Sequence, residues 1–133
     1  MKKAIVFDSG TLISLSINGL VDELRGLRKI FAGNFFITKD VMAEVIDKPL
    51  TIKRFELEAL RIKQLLDDGI LETPKIIGIT EEKIDFEKNK FLDIANTTFQ
   101  SKGKDIHIID AGEASCLALS KILSEKKIEN VIA

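Results

Sequence analysis

Four acidic residues, far apart in the sequence, stand where they could act on one ligand. Asp8 follows the apolar run 4–7, which predicts a short buried strand. Glu44 lies in the apolar helical stretch 41–46, directly after a second predicted strand, and Asp110 and Glu113 open a later helix. In an open α/β sheet, ligands bind in the crevice at the carboxyl ends of the strands. Asp8 is therefore the first candidate for a functional residue.

Each of these acids also has an ordinary structural explanation. Asp8 or Ser9 can cap the helix that follows, because Asp and Ser accept hydrogen bonds from free helix amides. Glu44 can face solvent and pair with Lys48 one turn later. Asp110 and Glu113 have the spacing of a capping box, which alone would account for both. These alternatives remain open from the sequence.

The chemistry that converging carboxylates could perform is metal-assisted hydrolysis. Three or four carboxylates repel one another unless a cation lies between them. Oxygen ligands suit Mg²⁺ or Mn²⁺, and the sequence has no Cys/His cluster that would favour zinc. The single histidine, His107, is expected to be structural, and there is no glycine-rich phosphate loop. Hydrolysis of a phosphodiester assisted by a divalent cation is the most plausible chemistry.

Composition places few limits on partners. The 133 residues suffice for one domain with a proper core. A net charge of −1 is unlike a dedicated nucleic-acid binder, so any phosphate-binding surface must be a local patch. The candidates for such a patch are the basic residues near the Glu44 helix: Lys39, Lys48, Lys53 and Arg54. A lone cysteine, Cys116, favours the cytoplasm, and no apolar run is long enough to span a membrane.

Strands and helices are predicted to alternate along the chain, which favours an α/β fold with a mainly parallel sheet. Predicted strands cover 4–7, 35–38, 70–73 and 130–132, the third being peripheral because Pro74 follows it. Predicted helices cover 11–16, 20–31, 39–46, 50–68, 81–96 and 110–124. The helix at 39–46 should break at or before Pro49, the helix at 50–68 should be the longest, and 101–104 should be a loop.

Taken together, Val6-Phe7-Asp8-Ser9, Glu44 and the helix start Gly112-Glu113-Ala114 resemble the PIN-domain ribonucleases, which include the VapC-type toxins. The order and spacing of these motifs extend over nearly the whole chain. The resemblance implies a three-layer α/β/α sandwich around a mainly parallel sheet. It also implies cleavage of single-stranded RNA at an acidic pocket that binds Mg²⁺ or Mn²⁺.

The resemblance also assigns roles to particular residues. Asp8, Glu44 and Glu113 would be catalytic metal ligands, Asp110 an added ligand, and Ser9 a supporting hydroxyl. An antitoxin or other protein partner and a homodimer are expected by analogy, with no membrane association.

The family commonly has a further acid just after the strand that begins here at Asn130, and the sequence ends at Ala133. The resemblance therefore implies a single domain, 1–133, that lacks its C-terminal end. Otherwise a partner supplies that group, or metal affinity is impaired. The main alternative function is accordingly a non-catalytic interaction module with the same fold.

A second resemblance is weaker. The segment Phe7-Asp8-Ser9-Gly10-Thr11 is similar to the Asp-x-Asp-Gly-Thr motif of haloacid-dehalogenase phosphatases. The second Asp, which would serve as the general acid, is missing. A phosphatase is therefore the less favoured enzyme hypothesis.

Overall fold

A computed structural model describes residues 2–98 and 109–133 of the chain. Three strands form one parallel sheet in the order β2-β1-β3. The strands are β1 (Lys3–Val6), β2 (Asn34–Phe36) and β3 (Glu129–Ile132). The protein is thus a mixed α/β fold with a small parallel sheet, as the alternation of strands and helices predicts.

The sheet register places the ends of all three strands at one edge. Val6 of the central strand lies beside Phe36 on one side and Ile132 on the other. Backbone hydrogen bonds continue past the strands, from the Phe7 N–H to the Phe36 carbonyl and from the Asp8 N–H to the Ala133 carbonyl, both 2.9 Å. The residues that follow β1 and β2 are therefore held side by side.

The third predicted strand, 70–73, is reduced to a single bridge. Glu72 pairs in parallel with Phe36 on the outer side of β2, through two backbone hydrogen bonds of 2.8 and 3.0 Å. The Glu72 carboxylate also accepts hydrogen bonds from Arg28 and Asn34. Pro74 then begins a 3₁₀ turn (Pro74–Ile77), which ends the pairing. The segment is peripheral as predicted, but it is not a strand.

Helices fill the first half of the chain between the strands. They are α1 (Ser9–Ile17) and α2 (Glu23–Ile30), and after β2 comes α3 (Lys39–Met42). The predicted helices 11–16 and 20–31 are confirmed with shifted ends. Leu12 of α1 and Leu24 of α2 are almost fully buried and anchor these helices in the core.

The region 39–68 differs most from the prediction. After α3 the chain forms a π-helical turn (Ala43–Asp47) and continues into the short α4 (Lys48–Leu50). The predicted break at or before Pro49 is wrong, because Pro49 lies in the first turn of α4, where its missing N–H costs no hydrogen bond. The predicted helix 50–68 is wrong in its first part: a 3₁₀ turn (Lys53–Phe55) precedes α5 (Glu56–Asp67).

Two long helices complete the fold. The longest is α6 (Glu81–Thr98), not the helix predicted at 50–68, and α7 (Ala111–Glu125) follows the undescribed segment. An ion pair links them, because Lys121 of α7 approaches Glu87 of α6 at 2.8 Å. The predicted loop 101–104 lies outside the described residues.

Helix α7 forms the centre of the core against the sheet. Ala118, Leu119, Ile122 and Leu123 are each at most 1% exposed. Asn130 of β3 hydrogen-bonds to the helix through Ser120 and Ser124. This packing fixes the N-terminal end of α7 relative to the strand ends. In the part of the chain that the structure describes, no helix combines the length and apolar character needed to cross a membrane.

Candidate active site

Asp8 lies at the carboxyl end of β1 and caps helix α1. Its side chain accepts a 2.8 Å hydrogen bond from the backbone N–H of Ser9, so the capping role expected from the sequence is confirmed. The predicted support from the Ser9 hydroxyl is not seen, because Ser9 reaches Asp8 through its backbone alone. Asp8 is half-buried, and its second oxygen, Oδ2, remains available to a ligand.

Glu44 lies in the π-helical turn that follows α3. Such turns are rare and are often found at functional sites. The turn directs both Val45 and Ile46 into the core, at 2% and 4% exposed, while Glu44 stays half-buried. The alternative that Glu44 merely pairs with Lys48 is not supported, since the described residues include no ion pair or hydrogen bond to Glu44.

Asp110 and Glu113 form the capping box that their spacing predicts. The Asp110 Oδ1 atom accepts a 2.8 Å hydrogen bond from the Glu113 N–H, and Glu113 Oε2 accepts one of 3.3 Å from the Asp110 N–H. Both residues are exposed. The Glu113 carboxylate is therefore turned toward the backbone of Asp110 in this conformation.

Gly112 brings the Glu44 and Asp110 carboxylates together. A Cβ atom built on Gly112 would lie 2.5 Å from Glu44 Oε1 and 3.4 Å from Asp110 Oδ1. The Glu44 carboxylate therefore occupies the space that any larger residue at position 112 would fill. Two like charges about 6 Å apart in a partly solvated site repel by about 3 kcal/mol. A cation between them would remove that repulsion.

Cys116, one turn further along α7, connects this pair to Asp8. Its Sγ atom lies 4.0 Å from Asp8 Oδ1 and 3.9 Å from the Phe7 carbonyl oxygen. The pKa of the Cys116 thiol is raised to about 12, first by burial and then by the negative charge of Asp8. Glu44 and Asp110 raise it further in the same direction. One thiol thus experiences the charge of three acids from three separate segments.

The raised pKa of Cys116 predicts a specific loss of stability at alkaline pH. Above pH 9 the unfolded chain releases the thiol proton, whereas the folded chain keeps it until the pH approaches 12. The unfolded state then binds fewer protons, so the free energy of unfolding falls as the pH rises through this window. We expect the melting temperature of the wild type to exceed that of Cys116→Ala by less at pH 10 than at pH 8. A difference that stays constant between these pH values would contradict the prediction.

The acids do not form a complete metal centre in this conformation. Within residues 2–98 and 109–133, no group of three or more His, Cys, Asp or Glu side chains is arranged to hold a metal ion. The residues nevertheless fit a hard divalent cation in two respects. The donors are carboxylate oxygens, and Gly112 leaves open the space in which Glu44 approaches Asp110.

The four candidate RNA-binding residues have different surroundings. Lys39 lies near Glu81 and Asp85 of α6, at 3.8 and 4.0 Å, so its charge is partly neutralised. Lys48 and Lys53 are exposed, and the guanidinium of Arg54 lies 5.1 Å from the centre of the Phe55 ring. Position 107, where the only histidine lies, is outside the described residues.

Sequence reasoning missed two buried hydroxyl residues beside the acids. Thr38 and Ser115 are 1% and 0% exposed, and their oxygen atoms lie 2.7 Å apart. Thr38 was predicted to end a strand but instead caps α3. The sequence signal that could have identified this role is the position of Thr38 between an apolar run and Lys39-Asp40, which is typical of an N-cap residue.

Comparisons with known proteins add no assignment: no family model matches the chain, and neither does any curated protein or solved structure.

Proposed function

We propose that the protein is a metal-dependent endoribonuclease that hydrolyses phosphodiester bonds of single-stranded RNA. Its metal ligands are Asp8, Glu44 and Asp110, with Glu113 joining them when it leaves the capping box. The cation is Mg²⁺ or Mn²⁺, as the all-oxygen donor set favours.

The observation that carries this proposal is the approach of Glu44 to Asp110 across Gly112, with Asp8 nearby beside Cys116. None of these three carboxylates has an ion-pair partner among the described residues, whereas Asp40, Glu72 and Glu87 each pair with a basic side chain. A half-buried group of unpaired carboxylates at the ends of parallel strands is a suitable site for a divalent cation.

The chemistry divides between the cation and the protein. A divalent cation held at this site supplies positive charge to the scissile phosphate and acidifies the attacking water. Asp8 offers its free Oδ2 from a backbone anchored to β3 through Ala133. Glu44 offers a carboxylate from the π-helical turn, and Asp110 offers one from the start of α7. Three rigid segments therefore orient the ligands.

The PIN-domain ribonucleases are the family we propose for this chain, with a three-layer α/β/α arrangement of the elements described above. The proposal is supported by the three-stranded parallel sheet and by the positions of Asp8 after β1 and Glu44 after β2. RNA would approach along Lys48, Lys53 and Arg54, which are exposed near the Glu44 segment. A cytoplasmic location, an antitoxin or other protein partner and a homodimer belong to the same proposal.

A second candidate function is a non-catalytic interaction module with the same fold. The capping box favours it, because Glu113, the third acid implied by the resemblance, is hydrogen-bonded to backbone. Such a module would bind neither cation nor RNA at the acidic site.

A cleavage assay distinguishes these functions. We expect the purified protein to cleave labelled single-stranded RNA in millimolar Mn²⁺ and to lose this activity when EDTA is added. A small phosphate ester such as p-nitrophenyl phosphate should not be hydrolysed. Hydrolysis of the ester without RNA cleavage would instead indicate a phosphatase, and failure to cleave RNA in Mn²⁺ or Mg²⁺ would favour the non-catalytic module.

A further inference from the structure

A chain of buried hydrogen bonds links the segment that bears Glu44 to the turn that bears Asp110. The Thr38 hydroxyl oxygen accepts a hydrogen bond from the Val41 N–H at 3.2 Å. The Ser115 hydroxyl donates to the Gly112 carbonyl at 2.7 Å. Because Ser115 has only one hydroxyl proton, the 2.7 Å contact between the two hydroxyls must use the Thr38 proton. The chain therefore runs from Val41 through Thr38 and Ser115 to Gly112.

The two ends of this chain lie beside the acids. Val41 is in α3, which leads directly into the π-helical turn of Glu44. Gly112 is the residue against which the Glu44 carboxylate lies, and it is flanked by the Asp110 capping box. Any sliding of α3 along α7 would lengthen the contact between the hydroxyls. The same movement would separate Glu44 from Asp110.

A structural role alone does not require hydroxyl groups here. A valine and an alanine would fill nearly the same buried volume, and a buried polar pair generally adds little stability over an apolar one. A hydrogen bond of 2.7 Å, however, fixes both a distance and a direction, which apolar contacts do not. Groups that orient metal ligands from outside the coordination shell commonly change metal affinity by about 10- to 100-fold when removed.

We propose that Thr38 and Ser115 are positioning residues for a divalent-cation site, and that they hold Glu44 and Asp110 at the separation that binds the ion. This inference rests on the proposed function, because it concerns the same site. Neither residue is a metal ligand. Their effect is exerted through the relative placement of α3 and α7.

The test measures Mn²⁺ binding alone, by following the melting temperature during a Mn²⁺ titration. We expect Ser115→Ala to raise the Mn²⁺ concentration that gives half of the maximal stabilisation by about tenfold or more. Thr38→Val should have a similar effect, whereas Thr38→Ser, which keeps the hydroxyl, should stay within about threefold of the wild type. Because Thr38→Val also removes the α3 cap and could prevent folding, Ser115→Ala is the primary variant.

Ile122→Val is the matched control, since Ile122 is 1% exposed on the same helix and makes no contact with the hydroxyl chain. It should lower the melting temperature without changing the Mn²⁺ midpoint. The inference is overturned if Ser115→Ala changes that midpoint no more than Ile122→Val does. If the wild type itself shows no response to Mn²⁺, the proposed function and this inference both fail, so the two failures are distinguishable.

Discussion

Replacement of Asp8 by asparagine is expected to abolish Mn²⁺-dependent RNA cleavage while the protein stays folded. Asparagine is also a favoured N-cap residue, so it can keep the hydrogen bond from the Ser9 N–H and the start of α1. It removes the negative charge needed to hold a cation. We expect the cleavage rate to fall by at least about a thousandfold, which corresponds to about 4 kcal/mol in the activation free energy. Single-turnover cleavage of labelled RNA measures this change.

Asp22→Asn is the control for Asp8→Asn, because Asp22 is a largely exposed residue that precedes α2 and makes no side-chain capping bond. Its cleavage rate should equal that of the wild type. Asp8→Asn should also lower the pKa of the Cys116 thiol, since Asp8 is the strongest charged contributor to raising it. Alkylation of Cys116 as a function of pH reports that shift independently of activity. Unchanged RNA cleavage by Asp8→Asn would remove Asp8 from the catalytic site.

Replacement of Gly112 by alanine is expected to separate stability from metal binding. The new Cβ would lie 2.5 Å from Glu44 Oε1, so the flexible end of Glu44 must move away. Alanine favours the helix over glycine by about 1 kcal/mol, which offsets the cost of that movement. We expect the free energy of unfolding to change by less than about 1 kcal/mol. The Mn²⁺ midpoint should rise by about tenfold or more, because Glu44 no longer lies beside Asp110.

Gly26→Ala provides the matched control for Gly112→Ala. Gly26 lies within α2, and a Cβ built on it would have no atom within 4 Å. This change should raise the free energy of unfolding by about 0.5–1 kcal/mol and leave the Mn²⁺ midpoint unchanged. A Gly112→Ala protein that binds Mn²⁺ as tightly as Gly26→Ala would show that Glu44 is not a ligand.

The parts of this fold that depend on local patterns could be predicted from the sequence. The apolar run before Asp8 predicts β1, and the spacing of Asp110 and Glu113 predicts their capping box. The positions of the acids after the strands follow from the α/β alternation. In each case the signal lies within a few neighbouring residues, which is why it is visible without the structure.

The features that depend on tertiary contacts could not be predicted. A π-helical turn at Ala43–Asp47 and the continuation through Pro49 arise because this segment must bury both Val45 and Ile46. The pairing of Thr38 with Ser115 joins residues 77 positions apart. Glu87 is 5% exposed in a helix that reads as polar, because Lys121 of α7 neutralises it. No local pattern identifies such partners.

The roles of Asp110 and Glu113 show how a shared motif can mislead. The sequence assigns a catalytic role to Glu113, whereas the structure turns its carboxylate to the Asp110 backbone and places Asp110 Oδ1 near Glu44. Asp110 is therefore the better-placed ligand of the two. We expect Asp110→Asn to weaken Mn²⁺ binding more than Glu113→Gln does.

The most direct test of the account is calorimetric titration of Mn²⁺ into the wild-type protein and into Asp8→Asn, Glu44→Gln and Asp110→Asn. The account predicts saturable binding to the wild type and strongly weakened binding in each variant, since all three carboxylates serve the same site. The absence of Mn²⁺ binding to the wild type, or binding that survives all three substitutions, would contradict it.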